Sequence, residues 1–190
     1  MKRNVFLANL LTFLSTPLLL LSNEAKAGQE NPVKGFKIGK GEGRKHGHIQ
    51  LKGVNSNVLD VKISGSDTQG QLAVFEQTSL SQGRGTPLHV HPDQDEVFYV
   101  LEGDYYFQVG DEKFRLTVGE SIFLPRKVPH AWTQVSAKGK MMVTLQPAGK
   151  LEDFFLTMRD LNHEPSAKEL AGIFSKNDMQ VLGPPLAVPK

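Results

Sequence analysis

The sequence predicts an all-β fold, a sandwich or closed barrel of short strands, with two short helices at its C-terminal end. Three observations carry that reading: strand-like runs follow one another from residue 57 to 146, glycine–acid pairs punctuate them as turns, and the apolar period becomes helical after Pro147. Many short strands need protected edges, and a double-sheet jelly roll supplies that protection.

Taken in order, the expected strands are Asn57 to Ser64, Gln71 to Leu80, Glu96 to Leu101, Tyr105 to Val109, Lys113 to Val118, Ser121 to Leu124, Ala131 to Val135 and Lys140 to Gln146. Gly103-Asp104, Gly110-Asp111 and Gly119-Glu120 mark the hairpins. The run from Glu96 is apolar on both faces, with Phe98 and Val100 on the Glu96 side and Val97, Tyr99 and Leu101 on the other. Its outer face needs a cover, which either a second copy of the chain in a homodimer or an N-terminal strand of the same chain can provide. Beyond Pro147, Leu151, Phe154, Phe155 and Met158 fall at helical spacing, and Ser166-x-x-Glu169 forms a capping box ahead of Leu170, Ile173 and Phe174. A helix with a single apolar stripe ordinarily covers core, so that role is expected here rather than a lid over a pocket.

The first 27 residues read as a secretory signal: a basic start at Lys2 and Arg3, an apolar stretch from Val5 to Leu21, and Ala25-Lys-Ala27 as the cleavage site. Asn9 and Pro17 interrupt the apolar stretch, which argues against a stable membrane anchor. No cysteine is present for a lipid anchor or a disulfide. The expectation is an exported protein, periplasmic or extracellular. Its mature chain forms one domain over residues 28–190, with the barrel core at about 57–147 and a helical extension at 148–190. Cleavage takes three of the 22 basic residues and one of the 20 acidic ones, leaving 19 of each. A neutral chain without a basic stripe is not expected to bind nucleic acid.

Two stretches carry chemistry: Gly83-Arg-Gly-Thr-Pro-Leu-His89-Val-His91-Pro-Asp-Gln-Asp-Glu96, running on to Gly103, and Gly119-Glu-Ser-Ile-Phe-Leu-Pro125-Arg-Lys-Val-Pro-His130. His89 and His91, two apart on a strand, offer two imidazoles to one ion. Pro92 and the turn-like Asp93-Gln94-Asp95 bend the chain, so that Glu96 returns toward the same ion, and His130 arrives from a distant strand after Pro125 and Pro129. The result is an N₃O set that leaves two positions open on a six-coordinate metal. Alternation puts Phe98 and Val100 on the metal side and Trp132 and Gln134 on the His130 side, and these four are the expected pocket wall. Asp93 and Asp95 are expected at the surface. His46 and His48 form a second His-x-His pair without a partner motif, for which a surface or structural role is expected. Gly39 to Gly43 lacks the Lys-Ser/Thr of a phosphate cradle and is expected to be flexible chain.

These stretches resemble the paired motifs of the cupin superfamily, small β-barrels whose metal ligands sit on barrel strands. The first motif is matched at every defining position. The second carries Lys127 where a glycine is usual and Gln134 where an asparagine is usual. The resemblance covers about residues 70 to 147, and Phe154-Phe155 and Leu182 to Leu186 are similar to single-domain cupins called quercetin-dioxygenase-like. It implies a double-stranded β-helix in which His89, His91, Glu96 and His130 hold one divalent transition metal: iron, manganese, nickel, cobalt or copper, with zinc suiting redox-neutral chemistry. It further implies a metal-dependent dioxygenase acting on flavonol-like or other enolic and aromatic small molecules together with O₂, with Glu96 both ligand and base. Two other classes share the same residues: a non-enzymatic cupin that binds a small ligand or metal, and a redox-neutral isomerase or lyase.

Overall fold

A computed structural model describes residues 34–52 and 55–188. The strands are β1 (Ile49–Gln50), β2 (Val58–Ile63), β3 (Ala73–Ser79), β4 (Pro87–Val90), β5 (Asp95–Glu102), β6 (Tyr105–Val109), β7 (Glu112–Leu116), β8 (Ser121–Leu124), β9 (His130–Gln134), β10 (Gly139–Gln146) and β11 (Gln180–Pro185). Helices α1 (Leu151–Asp160) and α2 (Ala167–Lys176) lie between β10 and β11. The strands form two sheets in the orders β1-β2-β3-β10-β5-β8 and β11-β4-β9-β6-β7. Their named pairings are all antiparallel. The chain is therefore the expected all-β jelly roll with two short C-terminal helices.

Period-2 alternation builds the core between the sheets. Along β3, Ala73, Phe75, Gln77 and Ser79 point inward, and each alternate residue is partly exposed. The register aligns inward rows across three strands: Leu145 of β10 lies between Ala73 and Glu96, Val143 between Phe75 and Phe98, and Met141 between Gln77 and Val100. From the facing sheet, Tyr105, Phe107 and Trp132 meet these rows, and all are buried. Gly103 turns β5 into β6 at φ 77°, where an added Cβ would collide with the Lys138 carbonyl and the Ser136 hydroxyl, so both conformation and space require glycine.

Two strands, β1 and β11, exceed the sequence expectation. Of these, β11 contains Gly183-Pro184-Pro185, a composition that argues against a strand interior; it is tolerated because β11 is an edge, paired only with β4. The capping box at α2 is half made. Ser166 accepts from the Glu169 N–H at 3.2 Å, while the Glu169 carboxylate turns to His163 Nε2 at 2.9 Å. The glycine-rich segment expected to be flexible is held to the sheet, with Lys62 Nζ donating to the Glu42 carbonyl at 2.7 Å and the Arg44 N–H donating to Val61 at the same distance. The proposed signal, residues 1–27, lies outside the described residues. Among those described, no helix is long and apolar enough to cross a membrane.

Candidate metal centre

β4, β5 and β9 bring the three histidines and the glutamate together. Strand pairing places His89 directly opposite His130. His91 stands one residue beyond the end of β4, and Glu96 is the second residue of β5, facing inward. All four residues are buried, and one potential ligand atom from each lies within 4.8 Å of the others. Donors on one ion bonded at ~2.1 Å sit at most ~4 Å apart, so the set closes around a metal with side-chain shifts below about an ångström.

The outward ring nitrogens fix the tautomers. His89 Nδ1 donates to the Pro87 carbonyl at 2.8 Å and His130 Nδ1 to the Val128 carbonyl at 3.0 Å, since a carbonyl can only accept. His91 Nδ1 lies 3.3 Å from Gln94 Oε1. Each ring thereby presents an Nε2 lone pair to the centre, as outer partners of metal-binding histidines characteristically arrange. His130 Nε2 is buried without a hydrogen-bond partner, 3.5 Å from Glu96 Oε2, and His91 Nε2 is 4.0 Å from the same oxygen. A buried, unpartnered nitrogen aimed at a carboxylate is costly unless a cation satisfies both. Burial, reinforced by the neighbouring His130 and His91, holds His89 well below the usual histidine range, and burial also lowers His91. Neutral imidazoles are the metal-binding form. The four residues therefore fit a divalent metal and can hold one.

Gln94 was unremarkable in the sequence. It is buried, and Gly149, at φ 56°, leaves the space its side chain fills. Lys127 adopts φ 66°, the left-handed conformation that the usual glycine takes freely, and its N–H donates to the His91 carbonyl at 2.8 Å. This turn thus links the backbone of one candidate ligand to the approach of another, His130. Asp95 is not a rival ligand: the Arg126 guanidinium and backbone N–H bind its carboxylate and hold it down to about 2. Asp93 is exposed. His46 and His48 diverge, His46 Nε2 to Glu152 at 2.8 Å and His48 Nδ1 to Asp60 at 2.6 Å, and neither joins a metal-binding cluster among the described residues.

The centre opens into a cavity of about 50 Å³. Phe98 and Trp132 line it. Val100 and Gln134 do not. Val100 lies deeper, in the row beyond Phe98, fully buried. Gln134 is a structural crosslink, accepting from the Ser81 N–H at 2.8 Å and donating to the Ser79 carbonyl at 3.2 Å. The helices supply wall that the sequence reading assigned to core alone: Leu151, Phe154, Phe155, Met158 and Phe174 are buried and line the cavity. Phe174 sets its ring edge-to-face on His89, with centroids 5.3 Å apart. One apolar stripe thus serves as core and as pocket roof together.

Comparison with known proteins bears on this arrangement. A family model described as a cupin domain matches residues 77–145, the segment that contains all four candidate ligands. Residues 77–145 thus form a cupin domain. This cupin shares its fold with an RmlC-like cupin from Shewanella frigidimarina, at 23% identity and a TM-score of 0.51, over 64% of this chain and 96% of that one. It is 40% identical over 48 residues to an uncharacterized protein of Methanocaldococcus jannaschii, a match covering 25% of this chain and 38% of that protein. It is 33% identical over 87 residues to the quercetin 2,3-dioxygenase of Bacillus subtilis, covering 45% of this chain and 25% of the relative. The matched segments thus span well under half the length of either protein.

Proposed function

We propose that this cupin is a metal-dependent dioxygenase that acts on an enolic or aromatic small molecule, flavonol-like in the wider reading, with O₂ as co-substrate. The observation that carries the reading is a buried three-histidine, one-glutamate set at one end of an aromatic-walled cavity. The likeness to a quercetin 2,3-dioxygenase supports it. A redox-active divalent metal held by His89, His91, Glu96 and His130 would supply Lewis acidity toward a substrate hydroxyl and an electron route to O₂. The chain's own groups do the rest. Among the described residues Glu96 is the only carboxylate lining the cavity, and it is placed to take the hydroxyl proton, because a carboxylate can change its binding mode while keeping its orientation. Phe98 and Trp132 offer flat apolar surface to a ring. Phe154, Phe155 and Phe174 exclude water from above.

By the same measure one water needs about 10–15 Å³, so the closed cavity holds only a few. A three-ringed flavonol enters only if α1 and α2 move outward, whereas a single-ring enol or catechol demands less. Export is part of the proposal, supported by the signal-like residues 1–27, and N-terminal sequencing of the exported protein should begin at Gly28.

The test begins with elemental analysis of exported, untagged protein, which should show about one equivalent of iron, manganese, nickel, cobalt or copper per chain. His91→Ala should lose most of that metal and His46→Ala none; equal retention in both variants would reject the ligand assignment. The metal-loaded protein should then consume O₂ with a flavonol, a catechol or a 1,3-diketone. Absence of uptake with all three would refute the dioxygenase, and turnover under strict anaerobiosis would transfer the site to redox-neutral chemistry.

A further inference from the structure

The cavity has a second polar end. Gln77 on β3 is 4% exposed and lines the cavity. Its Nε2 donates to Ser79 Oγ at 2.9 Å, and that same oxygen accepts from the Tyr105 hydroxyl at 2.7 Å. Burial pushes Tyr105 up to about 12, so it remains a donor across the neutral range. With Nε2 committed to Ser79, Gln77 Oε1 accepts no hydrogen bond among the described residues, and the residue lines the cavity. An amide oxygen that no protein group satisfies favours a hydrogen-bond donor on whatever fills the cavity. Asn55 and Thr86 line the same cavity, and the Thr86 oxygen already accepts from the Trp132 N–H at 3.3 Å, leaving its hydroxyl hydrogen to donate.

The strand register places this end relative to the metal. Glu96 shares a row with Leu145 and Ala73, whereas Gln77 shares one with Met141 and Val100, four residues further along β3. That is roughly 13 Å along the sheet at ~3.3 Å per residue. Between the two ends lie Phe98, Val143 and Trp132, all apolar.

We infer that Gln77 is a specificity-determining residue whose amide oxygen accepts a hydrogen bond from a hydroxyl at the end of the substrate remote from the metal. The substrate class is then a single ring bearing enolic or phenolic oxygen at one end and a hydroxyl-bearing arm at the other. This rests on the proposed reading of the metal end as a site for enolic or phenolic oxygen. Tyr105 and Ser79 are positioning residues, holding the amide in one orientation without reaching the substrate.

The test is anaerobic calorimetric titration of the zinc-loaded mature protein with 4-methylcatechol and with 4-(hydroxymethyl)catechol, which differ only by the distal hydroxyl. The wild type should bind the hydroxymethyl compound about three- to tenfold more tightly, the range of one neutral hydrogen bond. Gln77→Leu should reduce that ratio to about one while keeping its affinity for 4-methylcatechol. Equal wild-type affinity for the two compounds overturns the inference and leaves the metal-end reading standing, and this comparison needs no variant to fold. A preference that survives Gln77→Leu also overturns it. If neither compound binds protein that retains its zinc, the enolic and phenolic reading fails, and this inference with it.

Discussion

Lys127 shows how much one residue's backbone can matter to a site it never enters. At φ 66° it bears the crowding that an L side chain meets in the left-handed region, and its N–H is tied to His91, so the turn cannot relax without disturbing a candidate ligand. Lys127→Gly should therefore stabilise the protein by about 0.5–1 kcal/mol, the relief of strain being partly offset by the larger entropy of an unfolded glycine. Urea unfolding of the two proteins measures it. Metal content should not change, because the N–H remains. A variant less stable than the wild type would mean that the lysine side chain contributes more than its conformation costs.

At the scale of elements, α1 and α2 do for the barrel what a third layer does for an open sheet. Phe174 packs edge-on to both His89 and Phe154, with centroids 5.3 Å and 4.8 Å apart. Phe155 does the same to Phe75 on β3, at 5.1 Å. Phe174→Ala should cost about 3–5 kcal/mol if the site cannot collapse, and should enlarge the cavity beside His89 without loss of metal, since all four candidate ligands remain and His89 keeps its hydrogen bond to the Pro87 carbonyl. Thermal unfolding and elemental analysis of the same sample test both halves; unchanged stability would show that α2 only rests on the barrel. The helices were legible as apolar stripes, and the metal set was legible because its spacing is local: His89, His91 and Glu96 span a single strand–turn–strand unit. Their roof was not legible as such, because a stripe at helical period says which residues are buried and not against what. Gln77 and Gln94 were missed for a related reason. A glutamine within a strand or turn becomes informative only when tertiary packing buries it and leaves one amide atom to satisfy.

For the whole molecule, the open question posed by β5 is what covers its outer face. The N-terminal segment is not the answer within the described residues: Phe36 and Ile38 line a cleft with Ile63, Val74 and Met142, toward β2, β3 and β10. Val97, Tyr99 and Leu101 on β5 remain 37%, 43% and 36% exposed, and Phe123, directly opposite Val97 on the edge strand β8, is 55% exposed. A contiguous apolar face next to a free strand edge is unusual on a monomer, and it is self-complementary when two copies meet about a two-fold axis. The expected state of the mature chain is therefore a homodimer through β5 and β8. Sedimentation equilibrium should give twice the chain mass, and Val97→Asp should give a monomer that keeps its thermal transition and its metal, because the substitution places charge on a face remote from the core rows. A monomeric wild type at micromolar concentration would rule out the second copy. A Val97→Asp protein that still dimerises would move the interface elsewhere on the barrel.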